Sequence, residues 1–173
     1  TTVYQLLGDK KYEQAEKLIS SLIGRVYHAL YRIKTNHDII DAVINQKDLQ
    51  AKYSGIRLDI RTGDLSSVTI DDHLLVIILA NVIDNAIEAC ENAPVERVVT
   101  VKLIIEDDIL IFSVINPVRS EIDIVDNLVK TTKPDNYVHG LGLKNVSMAL
   151  SKCNGNYELI CEGGKFQFTA LIH

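Results

Sequence analysis

The chain has 173 residues, a length that at roughly 100–200 residues per domain fits one domain with a small appendage. Its 18 Lys and Arg against 23 Asp and Glu leave a net charge of −5, which disfavours nucleic-acid backbone binding as its main task. The 47% hydrophobic and 24% charged content excludes intrinsic disorder, and the longest apolar run, Leu74 to Ala80, is too short to span a bilayer.

Three cysteines, Cys90, Cys153 and Cys161, match no zinc spacing and no disulfide framework. They point to a reducing cytosol and to inert buried thiols. The sequence opens at Thr1 without a secretory leader and is expected to be an excised piece of a longer chain. Val3 to Leu7 reads as the tail of a helix, Gly8 as its stop and Asp9 as the next start. A second helix is predicted over about 10–33, because Ala15, Leu18, Leu22, Val26 and Leu30 recur at three-four spacing. Residues 1–34 are therefore expected to form a helix hairpin with one arm cut short, and 35–173 a separate domain.

Thr35-Asn36-His37-Asp38 is a polar break in which Asp38 suits a helix cap. A helix to about Ser54 follows, with Ile40, Val43, Ile44 and Ala51 inward, and Gly55 ends it. Ile56 to Arg61 alternates as a half-buried strand, and a short strand is expected near Val68 to Ile70. Asp71 or Asp72 caps a long helix to about Glu91, which Pro94 cannot extend. Val98 to Glu106 and Ile109 to Ile115 read as strands joined by a tight turn at Asp107-Asp108. From Asn116 to His139 the pattern breaks into a long loop, a length typical of functional lids or disordered segments. A short helix is expected within it, over Ile122 to Val129. Gly140-Leu141-Gly142 then opens a helix to Cys153. Asn156 to Cys161 and Lys165 to Leu171 are final strands around Gly163-Gly164.

The helix from Asp72 to Glu91 is the most informative segment. At 100° per residue, Asn81, Asp84, Asn85 and Glu88 share one stripe, while Leu75, Leu79, Val82, Ile83, Ala86 and Cys90 cover the opposite side. Such oxygens either hold a hard cation such as Mg²⁺, with phosphate and water completing the shell, or simply face solvent. Two Asn are poor choices for a plain solvated helix face. The glycines of Gly140-Leu141-Gly142 allow close backbone approach where a helix N-terminus offers free N–H groups to an anion. Lys130, Thr131, Thr132 and Lys133 lie in the loop before it, placed to close on phosphates. The P-loop and the Gly-x-Ser-x-Gly elbow are both missing from the sequence.

Three features occur in order: Asn81-Val82-Ile83-Asp84-Asn85-Ala86, the loop with Thr131-Thr132-Lys133, and Gly140-Leu141-Gly142-Leu143. Together they resemble the nucleotide-binding signature of the GHKL superfamily, which joins gyrase, MutL, an Hsp-type chaperone and the sensor histidine kinases. Asp41 to Lys47 and Asn116-Pro117 make the sequence most similar to the AgrC-type, peptide-pheromone-sensing kinases. The resemblance implies an α+β two-layer sandwich, with helices on one face of a mixed sheet and ATP between helices and lid. It implies Asn85 as a Mg²⁺ ligand and Asn81 beside the phosphates in the catalytic position. Gly140 and Gly142 would shape the phosphate end, and Lys133 would reach in from the lid. Superfamily ATPases carry Glu at the Asn81 position; Asn cannot act as a general base, which fits phosphoryl transfer to a protein His rather than hydrolysis. Where most histidine kinases have Asp-x-Gly-x-Gly, this chain has Asn116-Pro117-Val118-Arg119-Ser120, so Asn116 would accept from adenine without charge assistance.

The hairpin face of Leu18, Leu22, Val26 and Leu30, with most of its partner arm cut away, predicts self-association as a homodimer; the acidic balance predicts no nucleic acid, and the resemblance implies a response-regulator partner. The chain would be the cytoplasmic portion of a bacterial sensor, attached to a membrane only through preceding segments. The acceptor His is expected outside this sequence, so the fragment alone should not phosphorylate itself. Two alternatives share the fold: an anti-sigma-factor-type serine kinase, which would lack the hairpin, and a degenerate phosphotransferase-like module, which would lack the Asn and Gly pairs.

Overall fold

The computed structural model describes residues 5, 7–8, 10–16, 18, 32–91, 97–120, 122–125, 127–129 and 141–173. The chain divides into two units, Thr1–Ile33 and Lys34–His173. In the first, residues 12–16 are helical and Ala15 is buried. Most of the expected hairpin, including Val3, Leu22, Val26 and Leu30, lies outside the described residues.

The second unit opens with helix α1, Asp38–Tyr53. His37, not Asp38, is its N-cap, because the His37 ring nitrogen accepts from the Ile40 amide at 3.5 Å while Asp38 already sits in the first turn. Asp41 reaches back and accepts from both the amide and the hydroxyl of Thr35, each at 2.8 Å. The helix ends in a Schellman motif: Ile56 N–H donates to Ala51 and Gly55 N–H to Lys52, with Gly55 at φ +67°.

Strand β1 is Arg57–Thr62. No strand forms at Val68 to Ile70. Asp64 accepts from the Ser66 amide and from Asn36, winding the chain into a turn, and Val68 N–H bonds back to Leu65. The Ser66 hydroxyl and amide, then Asn36, hold the Asp64 carboxyl below its ordinary range. Helix α2, Asp72–Glu91, is capped by Asp71, whose carboxylate accepts from the His73 and Leu74 amides. By length and composition α2 could cross a membrane. Here it is the central core helix, with Leu75, Ile78, Leu79, Val82, Ile83 and Ala86 all buried.

Strands β2 (Val98–Glu106) and β3 (Ile109–Pro117) form a hairpin whose turn residues, Asp107 and Asp108, both have positive φ. The expected helix over 122–129 is instead a small hairpin, β4 (Ile124–Val125) with β5 (Leu128–Val129). Asn127 at φ +60° breaks any helix there; its side chain donates to Tyr157 O and accepts from Leu159 N at 2.8 Å. Helix α3, Leu141–Lys152, leads into β6 (Gly155–Glu162) and β7 (Lys165–Ile172), joined through Gly163 and Gly164, both at positive φ.

The sheet order is β1-β2-β3-β7-β6, with β1 parallel to β2 and the rest antiparallel. One face carries Val99, Val101, Leu103, Phe112, Phe168 and Ala170, all buried, and packs against α2, which is flanked by α1 and α3. Phe168 meets Phe112 edge-on at 5.9 Å and stacks on Tyr157 at 5.6 Å. The expected two-layer α+β sandwich is the observed architecture. Of the cysteines, Cys90 is buried in the core; Cys153 and Cys161 are only half-buried.

Candidate functional site

Helix α2 presents to solvent the stripe that its periodicity dictates: Asn85 and Glu88 are exposed, Asn81 and Asp84 half-buried. The Asn81 amide nitrogen donates to Ile77 O, one turn back, at 2.7 Å. That bond fixes the rotamer and leaves the side-chain oxygen aimed off the helix. The first turn of α3 approaches these amides. A Cβ built on Gly142 would lie 3.4 Å from Asn85 Nδ2, 3.5 Å from Asn81 Oδ1 and 3.5 Å from Asn85 Oδ1. A methyl there would rest in van der Waals contact with both amides, so glycine is the residue that leaves them least covered. The N–H groups of the first turn of α3, which have no partner within the helix itself, stand beside two amide side chains, an arrangement suited to an anion accompanied by a cation.

The structure thus brings Asn81, Asn85 and Gly142 together. Asn116 is placed by a different device. It is the penultimate residue of β3, on the helix-facing side of the sheet and 3% exposed, and its amide nitrogen donates to Pro117 O at 3.0 Å, leaving the side-chain oxygen as the acceptor. Lys133 and Gly140 lie outside the described residues, as do Lys130, Thr131 and Thr132.

Asp84 departs from the expectation that its oxygens belong to a cation-holding stripe. Both of them are taken by Lys47 of α1, at 2.7 and 2.6 Å, and Lys47 also donates to Gln50 at 3.2 Å. Lys47 was legible as a signal. It falls on the inward stripe of α1 with Ile40, Val43, Ile44 and Ala51, where a charge needs a partner. Nearby, Asn45 is also buried, its amide donating to Asp41 O at 2.7 Å.

Among the described residues no group of three or more His, Cys, Asp or Glu could hold a metal ion. The exposed Asn85 oxygen fits a more limited task. Mg²⁺ commonly takes one or two protein oxygens and fills the rest of its shell with phosphate and water.

The fold is shared with known proteins. The catalytic domain of histidine kinase ThkA superposes with a TM-score of 0.62 at 19% identity, over 80% of this chain and 92% of that one. Acinetobacter baumannii histidine kinase AdeS gives 0.56 at 16%, over 94% and 80%. Full-length ShkA, solved in complex with AMPPNP, gives 0.61 at 20%, over 81% of this chain and 30% of that one. Identities this low speak to fold: this is the α+β fold of histidine kinase catalytic domains. Residues 71–173 match the GHKL domain family, and the chain belongs to it. No curated protein sequence matches.

Proposed function

We propose that this chain is the ATP-binding catalytic region of a sensor histidine kinase of the AgrC type, which passes the ATP γ-phosphoryl group to a protein His. The observation that carries the reading is the close approach of Gly142, in the first turn of α3, to the Asn81 and Asn85 side chains of α2. In this reading a polyphosphate meets the backbone N–H groups at the start of α3, with the exposed Asn85 oxygen toward its cation. Bound Mg²⁺ would supply charge neutralisation between phosphate oxygens. Asn81, pinned by its bond to Ile77 O, offers a neutral acceptor. An amide cannot take a proton from water, so the site favours transfer to a protein acceptor over hydrolysis. Asn116 would meet the adenine amino group. ShkA, which shares the fold, was solved with an ATP analogue.

In the same reading the chain works as a homodimer, with an acceptor His on another segment and a response regulator as the next recipient. The deciding test is calorimetric titration of ATP with Mg²⁺ and with chelator, on wild type and Asn85→Ala. Asn85→Ala is expected to lose most of the Mg²⁺-dependent gain in affinity and to keep metal-free binding. Equal affinity of the two proteins in Mg²⁺ refutes the assignment of Asn85.

A further inference from the structure

We infer that Lys47 is a positioning residue for this site: acting through Asp84, it cancels a carboxylate that would otherwise repel the phosphates and holds it toward α1. The inference rests on the nucleotide reading above and deepens it.

Asp84 is one residue from Asn85 and one helical turn from Asn81. A free carboxylate there would add a negative charge beside the space where the polyphosphate is placed. The two Asn side chains turn toward Gly142 of α3. The Asp84 carboxylate goes instead to α1, with both oxygens on Lys47 Nζ. The third Lys47 proton is used by Gln50, so the ammonium is saturated and is not itself available to a phosphate.

Stability does not explain the pair. Lys47 is 7% exposed and stands among aliphatic residues of α1, where an apolar side chain would pack without losing hydration. Exchanging a buried ion pair for apolar residues is often neutral or stabilising. Asp84 keeps 42% of its side-chain surface in water, so its hydration is only partly lost and the ion pair gains correspondingly little. What the pair does achieve is a site lined by amides with no net charge from Asp84.

The test compares wild type, Lys47→Met and Lys47→Met/Asp84→Asn, with ATP and with adenosine as probes, each with and without Mg²⁺. Melting curves are recorded in parallel. Lys47→Met is expected to weaken ATP binding about tenfold, the scale of one uncompensated charge several Å away at an effective dielectric constant near 20. Adenosine binding should be unchanged. The double variant should recover most of the ATP affinity, since the charge is gone even though the ion pair is not restored. Failure of Asp84→Asn to rescue, or an equal loss of adenosine binding, shows that Lys47 merely props the helices and overturns the inference. ATP affinity unaltered in Lys47→Met overturns it too, while leaving the nucleotide reading intact. Wild type that binds no ATP refutes that reading and this inference with it.

Discussion

Gly142 and Asn85 stand so close that a single added methyl group would rest 3.4 Å from the Asn85 amide. That distance is ordinary packing contact, not a clash. Gly142→Ala should therefore fold, and with alanine's better helix propensity its melting temperature should equal or exceed that of wild type. The methyl covers the Asn81 and Asn85 amides that the nucleotide reading turns toward phosphate and its cation, so ATP affinity should fall about tenfold or more. Thermal melts and titrations on the same samples check both halves; a variant that is destabilised and still binds ATP normally contradicts the assignment.

Gly155 makes the opposite demand. A Cβ there would lie 2.8 Å from Leu150 Cδ2 and 3.3 Å from the Leu171 carbonyl, at the junction of α3 and β6. The Leu side chain can move but the carbonyl belongs to the sheet. Gly155→Ala is expected to cost about 1–3 kcal/mol, the usual scale of overpacking. Urea denaturation should show the loss as a lower midpoint with an unchanged slope, and nucleotide affinity of the folded fraction should not change.

Cys90 is fully buried, and desolvation pushes its thiol above the ordinary range, outweighing the opposing pull of Arg97. The reactive thiolate is thus disfavoured in the folded state at neutral and mildly alkaline pH. A thiol reagent at pH 8 should leave Cys90 unmodified in native protein and label it in denaturant. Rapid native labelling, located by mass spectrometry, would contradict its place in the core.

Sequence periodicity made the layered fold legible because most elements obey local rules. The two-residue turns at Asp107-Asp108 and Gly163-Gly164 fix their hairpins, and the three-four spacing of α2 fixes both its core side and its amide stripe. The misreadings occur where a side chain overrides the local pattern. Asp64 winds residues 64–68 into a turn in spite of the β-branched Val68 and Ile70. Asn127 turns an apolar segment into a hairpin by bonding β6, 30 and 32 residues away. The cluster of Asn81, Asn85 and Gly142 could be named from motif order, but not the side toward which each amide points. The spacing of α1 turns Lys47 inward and so calls for a partner, but Asp84 lies 37 residues away and no local rule picks it out.

The side chain of Asn127 also settles which margin of the sheet remains available for growth. β6 is the last strand on its side, and its outward-facing carbonyl at Tyr157 and N–H at Leu159 are the groups a foreign strand would seize. Asn127 occupies both. Strand addition from another molecule is thereby opposed at the centre of β6; among the described residues the opposite margin is β1, which pairs on one side only. There Arg57, Asp59 and Arg61 alternate along the strand, so an invading segment would have to match a row of charges before it could pair.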